Sequence, residues 1–172
     1  MDLHYLILAH TQPTQVRRLV DRLAGPATYF YINVDANVAL APFTEAFRGS
    51  PPGVCLLADG ERYATPWGDI GLVKATLHLL RRVLHTSGNG YCILLSGQDY
   101  PLRSNKEIRS FFQRRPGTNY IETLELPTSV WNQGGRNRIN DYKFNLSTRR
   151  EDFVPTCCAL PTGVGSKCMC AL

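Results

Sequence analysis

Apolar positions recur along this chain with two different periods, and the switches between them mark out alternating strands and helices. Leu3 to Ala9 is a nearly continuous apolar run, the pattern of a strand buried on both faces, and His10 ends it. Val16, Leu19, Val20 and Leu23 then fall at i, i+3, i+4 and i+7. That is one stripe of an amphipathic helix, opened by Pro13 and stopped by Gly25-Pro26. Thr28 to Val34, rich in aromatic and β-branched residues, reads as a second buried strand. Strand, helix and strand in such close succession form a βαβ unit and imply parallel pairing.

Further along, Pro42 to Arg48 suits a short helix, Ser50-Pro51-Pro52-Gly53 a loop, and Val54 to Leu57 a third strand. The longest helix is expected from Gly68 to Ser87, with Val73, Thr76, Leu77, Leu80, Val83 and Leu84 as its inner stripe. Lys74, His78, Arg81, Arg82 and His85 then fall on a basic, solvated face. Tyr91 to Leu95 predicts a fourth strand that breaks into the small and polar turn Ser96-Gly97-Gln98-Asp99. Pro101 restrains Tyr100 to an extended conformation. Ser104, with Glu107 three residues on, completes a capping box for a helix over Asn105–Gln113. Asn119–Glu122 is expected as a fifth strand and Arg138–Leu146 as another. The periodic pattern fades from Arg149, so residues 1–148 are taken as the folded domain and 149–172 as a tail of foreign composition, the mark of a truncated or frame-shifted reading.

Composition narrows this only modestly. At 172 residues, 44% hydrophobic and 19% charged, the chain suits one ordinary globular domain. Its net charge of +5 is compatible with nucleic acid, an anionic membrane surface or a diphosphate. The cations are scattered and no run interleaves them with aromatics, which argues against a nucleic-acid partner. Cys55 and Cys92 lie in apolar runs, where a free cysteine behaves as a small buried hydrophobe. Cys157, Cys158, Cys168 and Cys170 match neither a paired C-x-x-C zinc site nor a disulfide framework. The first residues, with Asp2 and His4, lack the basic region of a signal peptide, and no apolar run approaches the ~20 residues of a membrane span. The expected location is the cytoplasm, with at most a peripheral association with a membrane.

The stretch LLSGQDYPLRSN at Leu94–Asn105 resembles the signature loop of the core-2/I-branching glycosyltransferases, a family that also takes in the peptide O-xylosyltransferases. YLILAH at Tyr5–His10, YFYINVD at Tyr29–Asp35 and WGDIGLVKATLHLL at Trp67–Leu80 match in family order, and the resemblance covers roughly Leu3 to Phe144. It implies an α/β fold, a Rossmann-like, mostly parallel sheet of the A-type glycosyltransferase class, here incomplete. The implied reaction is metal-independent, inverting transfer of N-acetylglucosamine or xylose from a UDP-sugar to a carbohydrate or peptide hydroxyl, with no cofactor. The partners are then a UDP-sugar donor and a glycan or glycopeptide acceptor. The family's general base and diphosphate-gripping residues lie in a carboxyl-terminal half without counterpart in these 172 residues, so the chain is expected to be an inactive fragment, and no catalytic residue is assigned. The competing reading is a non-catalytic nucleotide- or sugar-binding α/β fragment.

Strand ends in the first half of such a sheet suit a uridine. Leu8-Ala9-His10 ends the first strand and Asp35-Ala36-Asn37 the second, and parallel pairing brings both to one edge. A backbone edge can pair with uracil, and a carboxylate can accept from base or ribose donors. The resemblance implies the same assignment and adds Thr65-Pro66-Trp67 as a further wall. Asp35 could equally cap its own turn, His10 could be a satisfied strand-end histidine, and Trp67 could be core. With a single carboxylate, Asp35-Ala36-Asn37 makes a poor divalent site. The signature loop contributes Ser96, Gly97 and Asp99; Asp99 either lies near the sugar or acceptor, or ties down the loop through backbone hydrogen bonds. By resemblance Glu122 contacts the acceptor sugar, with Arg136 and Arg138 the nearest acceptor-side cations.

Overall fold

The computed structural model describes residues 1–66, 68–86, 89–144 and 156–159. Two compact units, Met1–Thr118 and Asn119–Leu172, make up the chain. The first holds β1 (Leu3–Ala9), α1 (Pro13–Leu23), β2 (Thr28–Val34), α2 (Ala41–Ala46), β3 (Val54–Leu56), α3 (Gly71–Thr86), β4 (Tyr91–Ser96) and α4 (Asn105–Gln113). Its sheet runs β3-β2-β1-β4 with every pairing parallel. The apolar runs predicted for β1 and β2 are buried almost throughout, as parallel strands covered on both faces must be.

Strand parity divides the core in two. Leu3, Tyr5, Ile7 and Ala9 of β1 join Phe30, Ile32 and Val34 of β2 beneath α1, whose Val16, Leu19, Val20 and Leu23 are all buried. On the other face Leu6, Tyr31 and Leu57 pack against Leu79 and Val83 of α3. Since β2 and β3 lie to one side of β1 and β4 to the other, the strand order reverses between β1 and β4. The crevice at the carboxyl ends of strands beside such a reversal is where open α/β sheets bind ligands.

The expected inner stripe of the long helix is corrected in part. Val83 is buried and Leu80 packs against the core as expected, together with Gly71, Ala75 and Leu79, whereas Val73, Leu77 and Leu84 are 55%, 47% and 72% exposed. The helix carries two apolar stripes, and the one with small residues wins because the neighbouring loop lies so near. A Cβ on Gly71 would stand 2.1 Å from the Ala64 carbonyl oxygen. His78 is corrected with it: half-buried instead of solvated, its ring lies 5.4 Å from that of Tyr63.

The second unit has a 3-10 turn at Asn132–Gly135, α5 (Asn137–Asn140), and β5 (Asp141–Phe144) antiparallel to β6 (Thr156–Ala159). Here too expectations are corrected. Asn119–Glu122 forms no strand; the segment is four residues of mixed pattern, and Tyr120 and Ile121 are 43% and 78% exposed, so no burial favours an extended pairing. The extended run expected from Arg138 begins instead as a helical turn and becomes a strand only at Asp141; Leu146 lies outside the described residues. Among the described residues no helix is long and apolar enough to cross a membrane.

Candidate functional site at the carboxyl edge of the sheet

The ends of β1, β2 and β4 meet at one edge through backbone bonds that cross between strands. The Asp35 amide donates to the Ala9 carbonyl at 2.8 Å, and the Gly97 amide to the Leu8 carbonyl at 2.8 Å. Gly97 can sit there because it has no side chain. A Cβ at that position would lie 3.0 Å from both Ala9 Cβ and Val16 Cγ2. The signature loop is thus seated directly on the strand end that sequence reasoning assigned to the nucleotide. His10 is exposed just beyond it.

Asp35 is 7% exposed and both of its carboxylate oxygens already accept hydrogen bonds. Oδ1 takes the Asn37 amide at 2.8 Å; Oδ2 takes the Thr65 hydroxyl at 2.9 Å and the Thr65 amide at 3.2 Å. The side chain caps its own turn; Oδ2 uses both of its acceptor sites on Thr65, and Oδ1 keeps one beyond the Asn37 amide. Ala36 and Asn37 are exposed, and Thr65 and Pro66 half-buried. Trp67 lies outside the described residues. Leu8, Ala9, His10, Asp35, Ala36, Asn37 and Thr65 are thus gathered at one edge.

In the signature loop the Ser96 amide donates to Asp99 Oδ2 at 2.8 Å, the Asp99 amide to the Ser96 carbonyl at 3.0 Å, and the Gln98 amide to Ser96 Oγ at 3.2 Å. Asp99 holds the loop in shape from an exposed position. Behind the loop the capping box forms as expected: Ser104 Oγ accepts from the Glu107 amide, and the Glu107 carboxylate accepts from the Ser104 amide at 3.0 Å and hydroxyl at 2.7 Å. These donors, with Arg103 nearby, hold the Glu107 carboxyl below the usual carboxylate range.

A crevice of about 990 Å³ opens between α1, β4 and α4, lined by Leu19, Leu23, Ile93, Leu95 and Phe112, with Asp99 and Tyr100 at its lip. Ile93 and Leu95 face α1, the side of the sheet opposite α3, so this crevice is separate from the edge where Asp35 meets Thr65. Its floor is apolar, while Arg103, Lys106 and Arg114 of the signature loop and α4 also line it. In the second unit Glu122 and Arg136 are exposed, and Arg138 belongs to α5. Among the described residues no three His, Cys, Asp or Glu side chains come together as a metal site would require.

Sequence reasoning missed Asn33, Arg62 and Tyr63. Asn33 is fully buried, its amide pairing with both the Tyr63 amide at 2.9 Å and the Tyr63 carbonyl at 3.3 Å. A signal existed, for Asn33 is the polar interruption in TYFYINV, and a buried amide must find partners. Arg62 carried no such mark.

A parallel sheet whose strand order reverses at β1, flanked by helices on both faces and gathering polar loops at its carboxyl edge, defines an open, Rossmann-like α/β protein of the kind found in glycosyltransferases. The model of the Core-2/I-Branching enzyme family matches residues 3–167, and the chain belongs to that family. Xylosyltransferase 2 of Rattus norvegicus is 27% identical over 130 residues, 69% of this chain and 14% of its own length. The β-1,3-galactosyl-O-glycosyl-glycoprotein β-1,6-N-acetylglucosaminyltransferase 4 of Danio rerio is 27% identical over 133 residues, 75% of this chain and 30% of its own. Xylosyltransferase oxt of Drosophila melanogaster is 26% identical over 110 residues, 63% of this chain and 12% of its own. The chain thus spans between 12% and 30% of the length of these relatives.

Proposed function

We propose that this chain provides the donor-binding part of an inverting glycosyltransferase. It would hold a UDP-sugar, xylose or N-acetylglucosamine, for transfer to a carbohydrate or peptide hydroxyl. The observation that carries the reading is the buried Asp35, fixed at the end of β2 beside the end of β1 and the signature loop. Family membership and the relatives' names support the reaction class. Uracil and ribose present N–H and O–H donors, and Asp35 Oδ1, with one lone pair left over after the Asn37 bond, can accept one of them. The turn Asp35-Ala36-Asn37 supplies a single carboxylate, and that one is already hydrogen-bonded, so donor binding is expected to need no divalent ion.

Titration calorimetry with UDP tests both statements. The wild type is expected to bind UDP equally with and without EDTA. Asp35→Ala should weaken binding roughly tenfold or more, since hydrogen bonds to charged groups contribute about 1.5–3 kcal/mol. Because Asp35 also ties Thr65, the variant's melting temperature is measured alongside. Equal UDP affinity in both proteins removes Asp35 from the site, and a strict requirement for Mn²⁺ or Mg²⁺ removes the metal-independent mechanism.

A further inference from the structure

The loop Leu57–Pro66 leads from β3 towards α3 and is locked to the end of β2 by side chains from both directions. Asn33 clasps the backbone of Tyr63, and Asp35 takes both donors of Thr65. Between these two, Arg62 points back beneath the turn that follows β2. Its side chain is 8% exposed, although that of its ion-pair partner Asp59 is 74% exposed. Arg62 Nη1 donates to the Asp35 carbonyl at 2.8 Å and the Val38 carbonyl at 2.9 Å, with the Val34 carbonyl at 3.5 Å. Nε donates to Asp59 Oδ1 at 3.0 Å, and Nη2 pairs with the same carboxylate.

The carbonyls on both sides of Ala36-Asn37 therefore converge on one cation. A turn whose carbonyls point inward at a guanidinium must present its other surface outward, and Ala36 and Asn37 are the exposed residues. The amides of the turn are bound as well: Ala36 to the Tyr63 carbonyl at 3.2 Å, Asn37 to Asp35 Oδ1, and Val38 to the Asp35 carbonyl at 3.0 Å. Only a rigid fork with several donors can meet two carbonyls and a carboxylate together; the point charge of a lysine cannot hold that geometry.

We propose that Arg62 is a positioning residue for the donor site. It touches no donor atom; it fixes the Asp35–Val38 turn, and through it the direction of the Asp35 carboxylate and the exposed edge of Ala36-Asn37. This rests on the donor-site reading above, and adds a residue that the reading does not contain. A purely structural arginine would stabilise the unit without any special bearing on ligand affinity. Arg17 is such a case: it bonds the carbonyls of Ala46, at the end of α2, and of Arg48 and Gly49 just beyond it.

The test compares the full chain as wild type, Arg62→Lys, Arg62→Met and Arg17→Met. For each, backbone amide exchange, melting temperature and UDP affinity are measured. Arg62→Met is expected to speed exchange at Ala36, Asn37 and Val38 at least tenfold while β1 and β2 stay protected, and to weaken UDP binding roughly tenfold. Arg62→Lys should fall between it and the wild type. Arg17→Met should lower the melting temperature and leave UDP affinity as in the wild type. Native exchange at the turn in Arg62→Met, or unchanged UDP affinity in both Arg62 variants, overturns the proposal and leaves the donor site standing. If Arg17→Met loses UDP affinity as much as Arg62→Met, the effect is general destabilisation and the proposal also fails. A wild type without UDP affinity overturns the donor-site reading, and the proposal with it.

Discussion

Asp35 and Glu107 show how one carboxylate can serve geometry and electrostatics together. Asp35 closes its own turn and anchors Thr65, and does so at the position expected to face a nucleotide. Of the two readings open in the sequence, the structure shows the capping one: both oxygens are held by the turn and by Thr65. Glu107 is simpler. Its carboxyl is held below the ordinary glutamate value of 4.5, first by the Ser104 amide and then by the Ser104 hydroxyl, with Arg103 adding attraction. A lowered folded-state pKa means that the capping interaction stabilises the protein above the unfolded-state value and is lost as the pH falls through the folded one. Urea melts of the wild type and Glu107→Gln should therefore differ at pH 7 and converge as the pH drops below 4.5 and the carboxyl protonates. A difference that persists in strong acid would assign the stabilisation to the side chain's shape, not its charge.

The elements divide into those that sequence could orient and those it could not. For α1, the stripe Val16, Leu19, Val20 and Leu23 was legible because the remaining positions of that helix are polar, leaving one way to turn it. The capping box placed the start of α4 for a similar reason: Ser104 and Glu107 satisfy each other's backbone amides locally, whatever lies around them. In α3 the apolar residues occupy two stripes, and periodicity cannot rank them. The close approach of Ala64 to Gly71 decides, and that is a tertiary fact. The corrected orientation makes opposite predictions for two leucines. Leu79 is fully buried, so Leu79→Ala should cost about 2–5 kcal/mol, whereas Leu84→Ala, at 72% exposure, should lie within about 0.5 kcal/mol of the wild type. Chemical denaturation of the two variants measures this directly. A reversed order would restore the stripe that periodicity alone suggests.

For the molecule as a whole, the excess of cations takes on a different meaning once their partners are known. The +5 net charge and scattered arginines gave the sequence no way to tell a binding surface from internal braces. Arg17, Arg62 and Arg109 each gather several backbone carbonyls, and Arg82 pairs with Glu61. Such arginines offer little to a polyanion, because their donors are already engaged. Partners so far apart in sequence leave no periodic trace, which is why the braces were illegible while the strands were not. Arg109 is the clearest case. From α4 it donates to the Met1 carbonyl at 3.0 Å, the Ala27 carbonyl at 3.1 Å and Thr28 Oγ1 at 2.9 Å, and to the Pro26 carbonyl as well. It thereby ties α4 to the chain just before β1 and to the entry of β2. Although α4 has no fully buried side chain, Ile108 and Phe112 pack against the core, and this brace adds to their hold. Hydrogen bonds to a charged donor contribute about 1.5–3 kcal/mol each, less where water competes, and most of these are exposed. Arg109→Met should accordingly lower the unfolding free energy by about 1–2 kcal/mol. It should also release amide protection in α4 before any in β1 or β2, because the sheet keeps its own ladders and the apolar cover of α1. Arg109→Lys should recover part of the loss, since an ammonium can reach some of these carbonyls but not all of them at once. The measurement is amide exchange of the three proteins together with their urea melts. Simultaneous loss of protection in α4 and the central strands would show that the helix unfolds only with the sheet, and that the arginine is not what secures it.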